Sequence, residues 1–373
     1  MSANDPVHVR WASKYVEGGN AYGFSLHSSM AAKHCTRHGV VHDPDAKLVV
    51  YVGSPFFWAP YEDEDGRDVL DVLRSQGKRA ILYMSWELEE FPEAIKKQIR
   101  RADGVICSSP FLKALVEKEI PGLPCELATL GVEPDKYEYV ERQDPAFHGG
   151  GRFQFLYVGA ANQRKGSDVI MHAWRAFTLS WVGMGMHVRC PIKPLLYLKV
   201  SRVDSDELPE DEQIKCVQSN PPVILDYRKL PMKSDPNVHG GMTLPKLYQQ
   251  SHAFLLPSFG ECPGLTALEA AATGLPVVMT PRHGLKDSFP PGTAVPLKYT
   301  WKMDTYMGFE GVRVPMASAM HLAELIPDIM EQYPRYLRIG KRGSDHVRKR
   351  FTWDECGRQV ACALRSLRKK LLG

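Results

Sequence analysis

Eight cysteines are scattered over 373 residues without a CxxC pair or a regular spacing, which argues against a disulfide framework and against a structural zinc site. No window holds 18 uninterrupted apolar residues. The most apolar candidate, 181–200, is broken by His187, Arg189, Pro191, Lys193 and Pro194, so no membrane-spanning helix is expected. The opening MSANDPVHVR lacks the charged-then-apolar pattern of a signal peptide. The expected compartment is therefore a reducing cytoplasm. No internal sequence repeat is evident. The hydrophobic content of 44% and charged content of 24% are those of an ordinary globular protein, too long for a single core, so two domains are expected.

The chain also lacks a large charge surplus, at +4, but this balance hides an asymmetry. Residues 1–150 carry 17 Lys/Arg against 23 Asp/Glu, and the remainder carries 30 against 20. After Tyr333, 12 basic residues face only Asp345, Asp354 and Glu355. Such a tail suits a solvated helix or one docked on the acidic first half. It would also suit peripheral contact with an anionic membrane surface or with nucleic acid.

What is present is an alternation of strands and helices. Strands are expected at 8–11, 47–52, 79–85, 104–108 and 125–130, with helices at 24–38, 68–77, 92–102 and 110–119. Residues 141–152, ERQDPAFHGGGR, have no apolar periodicity and read as a linker. A second series follows: strand 153–158, loop 159–166, and helix 167–177 with Ser167 as its cap and Asp168 suited to its dipole. Residues 181–245 look loop-rich apart from a strand at 223–226 and a helix at 244–251. The region from Ser318 reads as helical, interrupted by RFTWDE at 350–355. This pattern predicts an α/β protein of two doubly wound Rossmann-like domains facing a cleft. The boundaries fall at 1–148 and 149–349, with a helix over 350–373 completing the first domain.

The densest chemistry lies in 252–280, HAFLLPSFGECPGLTALEAAATGLPVVMT. It reads as strand, Pro/Gly loop, helix capped by Gly274, and strand. Glu261 stands in the loop and Glu269 in the helix. Backbone N–H groups at Gly264, Leu265 and Thr266 begin that helix and suit an anion. Arg164 and Lys165, in the loop after the second domain's first strand, supply two cations of the kind a diphosphate leaving group needs. Gly18 and Gly19, after the chain's first strand, suit close approach to phosphate. Carboxylates for polyol hydroxyls beside cations for a pyrophosphate amount to a nucleotide-sugar site in which the leaving-group charge needs no metal. Asp43-Pro44-Asp45 has the DxD spelling of metal-dependent transferases but lies in a proline turn. His239-Gly240-Gly241 reads as an ordinary loop, or as a loop facing the donor.

The sequence resembles the retaining GT-B glycosyltransferases of family four. The carrying motif is Glu, seven residues, Glu, here E-CPGLTAL-E, followed by AAATGLPVV. FQFLYVGAANQRKGSDVIMHAWRAF is similar to the opening of that family's donor domain. LYQQSHAFLLPS, LGVEPDKY, WELEEFPEAIKKQIRRADGVICSS and RFTWDE extend the similarity in the right order, leaving 181–220 and 285–320 weakly matched. The resemblance implies a metal-independent hexosyltransferase-like enzyme with no cofactor beyond its substrate, a UDP-, GDP- or ADP-sugar. Glu261 would contact the transferred sugar and Glu269 the donor ribose. Lys165 with Arg164 would bind the diphosphate. Gly264, Leu265, Thr266, Gly18 and Gly19 would line the donor. Asn20 and Glu87 are the acceptor-side candidates. The acceptor would be a hydroxyl of a glycan, a lipid-linked sugar, a small molecule or a modified nucleic-acid base.

The chain departs from the family's common pattern in three places. Ala160 stands where many members carry arginine, Cys262-Pro263 replaces the usual Gly-aromatic pair, and Trp86-Glu87 stands where many place a histidine. The alternatives are a GT-B epimerase or phosphorylase, and a sugar-nucleotide-binding protein without turnover.

Overall fold

The computed structural model describes residues 6–12, 22–56, 66–145, 151–203, 221–228, 230, 241–306 and 308–373. Two six-stranded parallel sheets organise them. The first contains β1 (Val7–Trp11), β2 (Val40–His42), β3 (Leu48–Gly53), β4 (Arg79–Met84), β5 (Gly104–Cys107) and β6 (Cys125–Leu127), in the spatial order β2-β1-β3-β4-β5-β6. The second contains β7 (Gly151–Ala161), β8 (Ile192–Val203), β9 (Val223–Asp226), β10 (Ala253–Leu256), β11 (Val277–Met279) and β12 (Val295–Pro296), in the order β12-β11-β10-β7-β8-β9. Strands such as LVVYVG in β3 and AFLL in β10 are buried along their whole length, as parallel strands covered by helices on both faces must be. The expected fold class, two doubly wound Rossmann-like sheets, is what the chain forms.

In the second sheet the strand order reverses between β7 and β10. The loops leaving those two strands are therefore neighbours outside the carboxyl ends, where such sheets bind ligands. The first sheet has its own reversal between β1 and β3.

Several local expectations need correction. The helix after β7 runs from Ser167 to Gly183, and its N-cap is Gly166, not Ser167. Gly166 has φ +74, and a Cβ there would lie 2.5 Å from the Pro257 carbonyl oxygen. Only glycine lets the β7 and β10 loops approach so closely. Ser167 Oγ instead donates back to the Asn162 carbonyl at 3.3 Å. Asp168 is pushed above its ordinary value by burial. Residues 192–203, read as loop-rich, form the long strand β8, paired with both β7 and β9. The strand β2 and an antiparallel hairpin, β13 (Tyr299–Tyr306) with β14 (Phe309–Ala317), were not anticipated.

The C-terminal helix Trp353–Leu372 packs into the first sheet's core. Val360, Leu364 and Leu367 join Val7, Val9, Val50 and Ile106 there. The chain crosses between the sheets twice, and the crossings pair. Val132 N–H donates to the Phe351 carbonyl at 2.9 Å, and Trp353 N–H to the Val132 carbonyl at 3.2 Å. Much of the basic tail is docked. Arg348 donates to the Pro134 and Tyr137 carbonyls, Arg365 to the His38 carbonyl, and Lys370 pairs with Glu126 at 2.7 Å. No helix among the described residues is long and apolar enough to cross a membrane.

Candidate active site

The β7 and β10 loops bring Arg164, Lys165 and Glu261 together. Asn162 caps the short turn that carries both cations, its side chain accepting from the Lys165 N–H at 3.0 Å. From the other loop, Ser258 Oγ donates to the Arg164 carbonyl at 2.7 Å and the Phe259 N–H donates to the same oxygen at 3.0 Å. On this frame Lys165 Nζ lies 2.6 Å from Glu261 Oε1. Arg164 Nη1 donates to the Gly260 carbonyl at 2.7 Å and stands 3.4 Å from Glu261 Oε1. Burial pushes the Glu261 carboxyl up, but the Lys165 ammonium and the Arg164 guanidinium outweigh it and hold it below its usual range. Burial pulls the Lys165 ammonium below its ordinary value against the attraction of Glu261. A carboxylate kept ionised by two cations is a poor base and a good acceptor of hydroxyl hydrogen bonds.

Glu269 has different company. It sits inside the helix Leu265–Ala272, 8% exposed, and among the described residues no cation contributes to its ionisation. Tyr248 Oη donates to its Oε2 at 2.9 Å, and Tyr137, the last residue of LGVEPDKY, adds a second phenol. Burial raises its pKa to about 7 in spite of both donors. Arg142 fixes the segment after Tyr137 by donating to the Ser251, Tyr248 and Thr273 carbonyls, the last at 2.6 Å.

Gly264 opens the same helix with φ +91 and no side-chain cap, followed directly by Leu265 and Thr266. The Thr266 hydroxyl is buried and has no hydrogen-bond partner among the described residues. Glu87, on the loop after β4, is not directed away from the donor loops: its Oε1 lies 3.8 Å from Arg164 Nη1. Gly18, Gly19 and Asn20 lie outside the described residues, as do His239 and Gly240. Asp43 of the DxD spelling accepts from the Asp45 N–H at 2.9 Å and pairs with His8, as a turn residue does. Among the described residues no group of three or more His, Cys, Asp or Glu side chains is placed to hold a metal ion.

The contacts across the cleft were largely unread in the sequence. Cys262 Sγ lies 3.2 Å from both Ser108 and Ser109 hydroxyls of the first domain, and burial raises its thiol to about 11. Glu89 Oε1 pairs with Arg282 at 2.5 Å and His283 Nε2 at 3.1 Å. The His283 contact, against burial and with Arg282 helping, brings Glu89 to about 2. Asp287 accepts from the Phe111 N–H at 2.7 Å. The β13–β14 hairpin closes the same side. Val312 and Val314 are buried with Trp86 and Phe259, Phe309 stacks on Phe56 at 5.5 Å, and Asp304 accepts from Gln163 at 3.0 Å.

Residues 222–299 match the family described as Glycosyl transferases group 1, a segment that includes Glu261 and Glu269. A D-inositol 3-phosphate glycosyltransferase of Corynebacterium aurimucosum is 29% identical over 117 residues, which is 31% of this chain and 24% of that protein's length. Sucrose-phosphate synthase from Thermosynechococcus elongatus superposes with a TM-score of 0.58 at 19% identity, covering 93% of this chain and 79% of its own. The Anabaena protein HepE, solved with UDP and glucose, gives 0.59 at 13% identity, covering 97% and 100%. The chain thus shares the two-sheet fold of these solved structures along nearly its whole length, and its residues 222–299 are similar to the group 1 glycosyl transferases.

Proposed function

We propose that this protein moves a sugar from a nucleoside diphosphate to an acceptor hydroxyl, with retention of configuration and without a metal. The observation that carries the reading is the convergence of Arg164, Lys165 and Glu261 at the sheet's switch point, beside the N-terminus of the helix that bears Glu269. The diphosphate would lie against Lys165, Arg164 and the N–H groups of Gly264, Leu265 and Thr266. These charges act on the leaving group as it departs, which is where electrostatic stabilisation counts most. Glu261 would accept hydroxyls of the transferred sugar, and Glu269 those of the ribose.

Retention by double displacement would need a free carboxylate nucleophile. Glu261 is bound to two cations and Glu269 is enclosed by phenols, which favours a front-face course in which the departing phosphate helps deprotonate the acceptor. Gly18, Gly19 and Asn20 remain assigned to the donor and acceptor sides by the resemblance alone.

A thermal-shift screen of UDP, GDP, ADP and their sugars tests the reading, since a ligand that binds only the folded state raises its melting temperature. UDP heads the panel because HepE, which shares the fold, was solved with UDP and glucose. One nucleotide family is expected to raise the melting temperature, with slow donor hydrolysis that disappears in Glu261→Ala. No shift with any nucleotide would overturn the proposal.

A further inference from the structure

Among the described residues two cations, Arg164 and Lys165, face two carboxylates, Glu261 and Glu87. Glu261 belongs to the same domain as the cations and is held by the shortest contact of the set. Glu87 comes from the other domain and makes the longest, at 3.8 Å. The Glu87 side chain is 23% exposed where that of Glu261 is 6% exposed. Its placement follows from domain packing: a Cβ on Gly260 would lie 2.6 Å from the Glu87 carbonyl oxygen, so the two loops rest directly on each other.

At 3.8 Å Glu87 acts on Arg164 by charge and not through a hydrogen bond, and a carboxylate beside a bound diphosphate would repel it. We propose that Glu87 is a built-in counter-ion which pairs with Arg164 and must turn away when a diphosphate binds, so that the first domain sets the donor affinity of the second. This rests on the reading that the donor is a nucleotide-sugar. Glu89, two residues further along the same loop, pairs with Arg282 and His283 instead. It holds the domains together without opposing the diphosphate. The loop therefore carries one contact that the donor displaces and one that it leaves in place.

Calorimetric titration of UDP, GDP and ADP into the wild type, Glu87→Gln, Glu87→Asp and Glu89→Gln tests this. Glu87→Gln should bind its nucleotide about tenfold more tightly than the wild type, a difference of about 1.4 kcal/mol. Glu87→Asp, which keeps the charge but withdraws it by one methylene, should fall between them, and Glu89→Gln should show no tightening. Equal or weaker binding by Glu87→Gln, or equal tightening by Glu89→Gln, overturns the counter-ion role and leaves the donor reading intact. A wild type that binds none of the three overturns both.

Discussion

Glu261 and Glu269 belong to one strand–loop–helix unit, yet one carboxyl is surrounded by cations and the other by phenols. Both are buried, at 5% and 8% exposure, so burial alone does not separate them. Their partners do. Lys165 and Arg164 hold Glu261 ionised, while Tyr248 and Tyr137 leave Glu269 at about 7. The sequence motif presents two equivalent glutamates, and the fold assigns them opposite electrostatic characters. A Glu261 carboxyl held below its usual range suits the proposed contact with hydroxyls of the reacting sugar. If Glu269 holds the donor ribose as proposed, its pKa of about 7 predicts donor binding that depends on pH.

The largest effect should come from removing the cation on the Glu261 side. Lys165→Met is expected to lower kcat by about 10²–10³-fold, the usual scale for losing a leaving-group or oxyanion contact. Steady-state transfer or donor hydrolysis measures it. A kcat within a few-fold of wild type would remove Lys165 from the chemistry.

The Glu269 side should show itself in stability. The folded protein binds this proton more tightly than the unfolded chain, so the group favours folding below its ordinary pKa of 4.5, and that contribution is lost as pH rises through about 7. Glutamine does not titrate. Glu269→Gln should therefore gain on the wild type between pH 4.5 and pH 8, by as much as about 3 kcal/mol at the upper end. Glu261 has the opposite sign: its lowered carboxyl favours folding at neutral pH, and this is lost as pH falls through its depressed value. Urea unfolding from below pH 4.5 up to pH 8 separates the two, and parallel pH profiles for Glu261→Gln and Glu269→Gln would erase the contrast.

Gly260→Ala should disturb only the Glu261 side, because its Cβ would collide with the Glu87 backbone. An overpacking cost of about 1–3 kcal/mol is expected in the urea midpoint. An unchanged midpoint would mean that the loops are not pressed together as described. Tyr248→Phe should have the smallest effect, about 1 kcal/mol for one hydrogen bond. Donor affinity should rise with pH as Glu269 ionises, and loss of the phenol should move that midpoint upward. A midpoint that stays in place would show that Tyr248 does not hold Glu269.

Some of this arrangement could be read along the chain and some could not. The unit from β10 to β11 was legible because its signals are local: an apolar run, a Pro/Gly loop, an Ala/Leu-rich helix, and Gly274 at φ +85 after its end. The strand β8 was hidden because Lys193, Pro194 and Lys199 interrupt its apolar run, although its register with β7 accommodates Pro194 opposite Phe153. The hairpin was recoverable in part, since Val312, Val314 and Met316 in β14 alternate at a strand's period of two. Tyr248, Tyr137, Glu89 and Arg282 carry no such signal. Each acquires its role through a contact between distant segments, and spacing along the chain does not record that. Glu87 was legible as a candidate but not for its contact, because nothing in the sequence places it opposite Arg164.

The division of the donor between the two glutamates is tested most directly by titrating the wild type, Glu261→Gln and Glu269→Gln with a nucleoside diphosphate and with the matching nucleotide-sugar. Glu269→Gln is predicted to weaken both ligands alike, because both contain the ribose. Glu261→Gln is predicted to weaken the nucleotide-sugar alone. The reverse pattern, or equal weakening of both ligands by both variants, would contradict the assignment of sugar to Glu261 and ribose to Glu269.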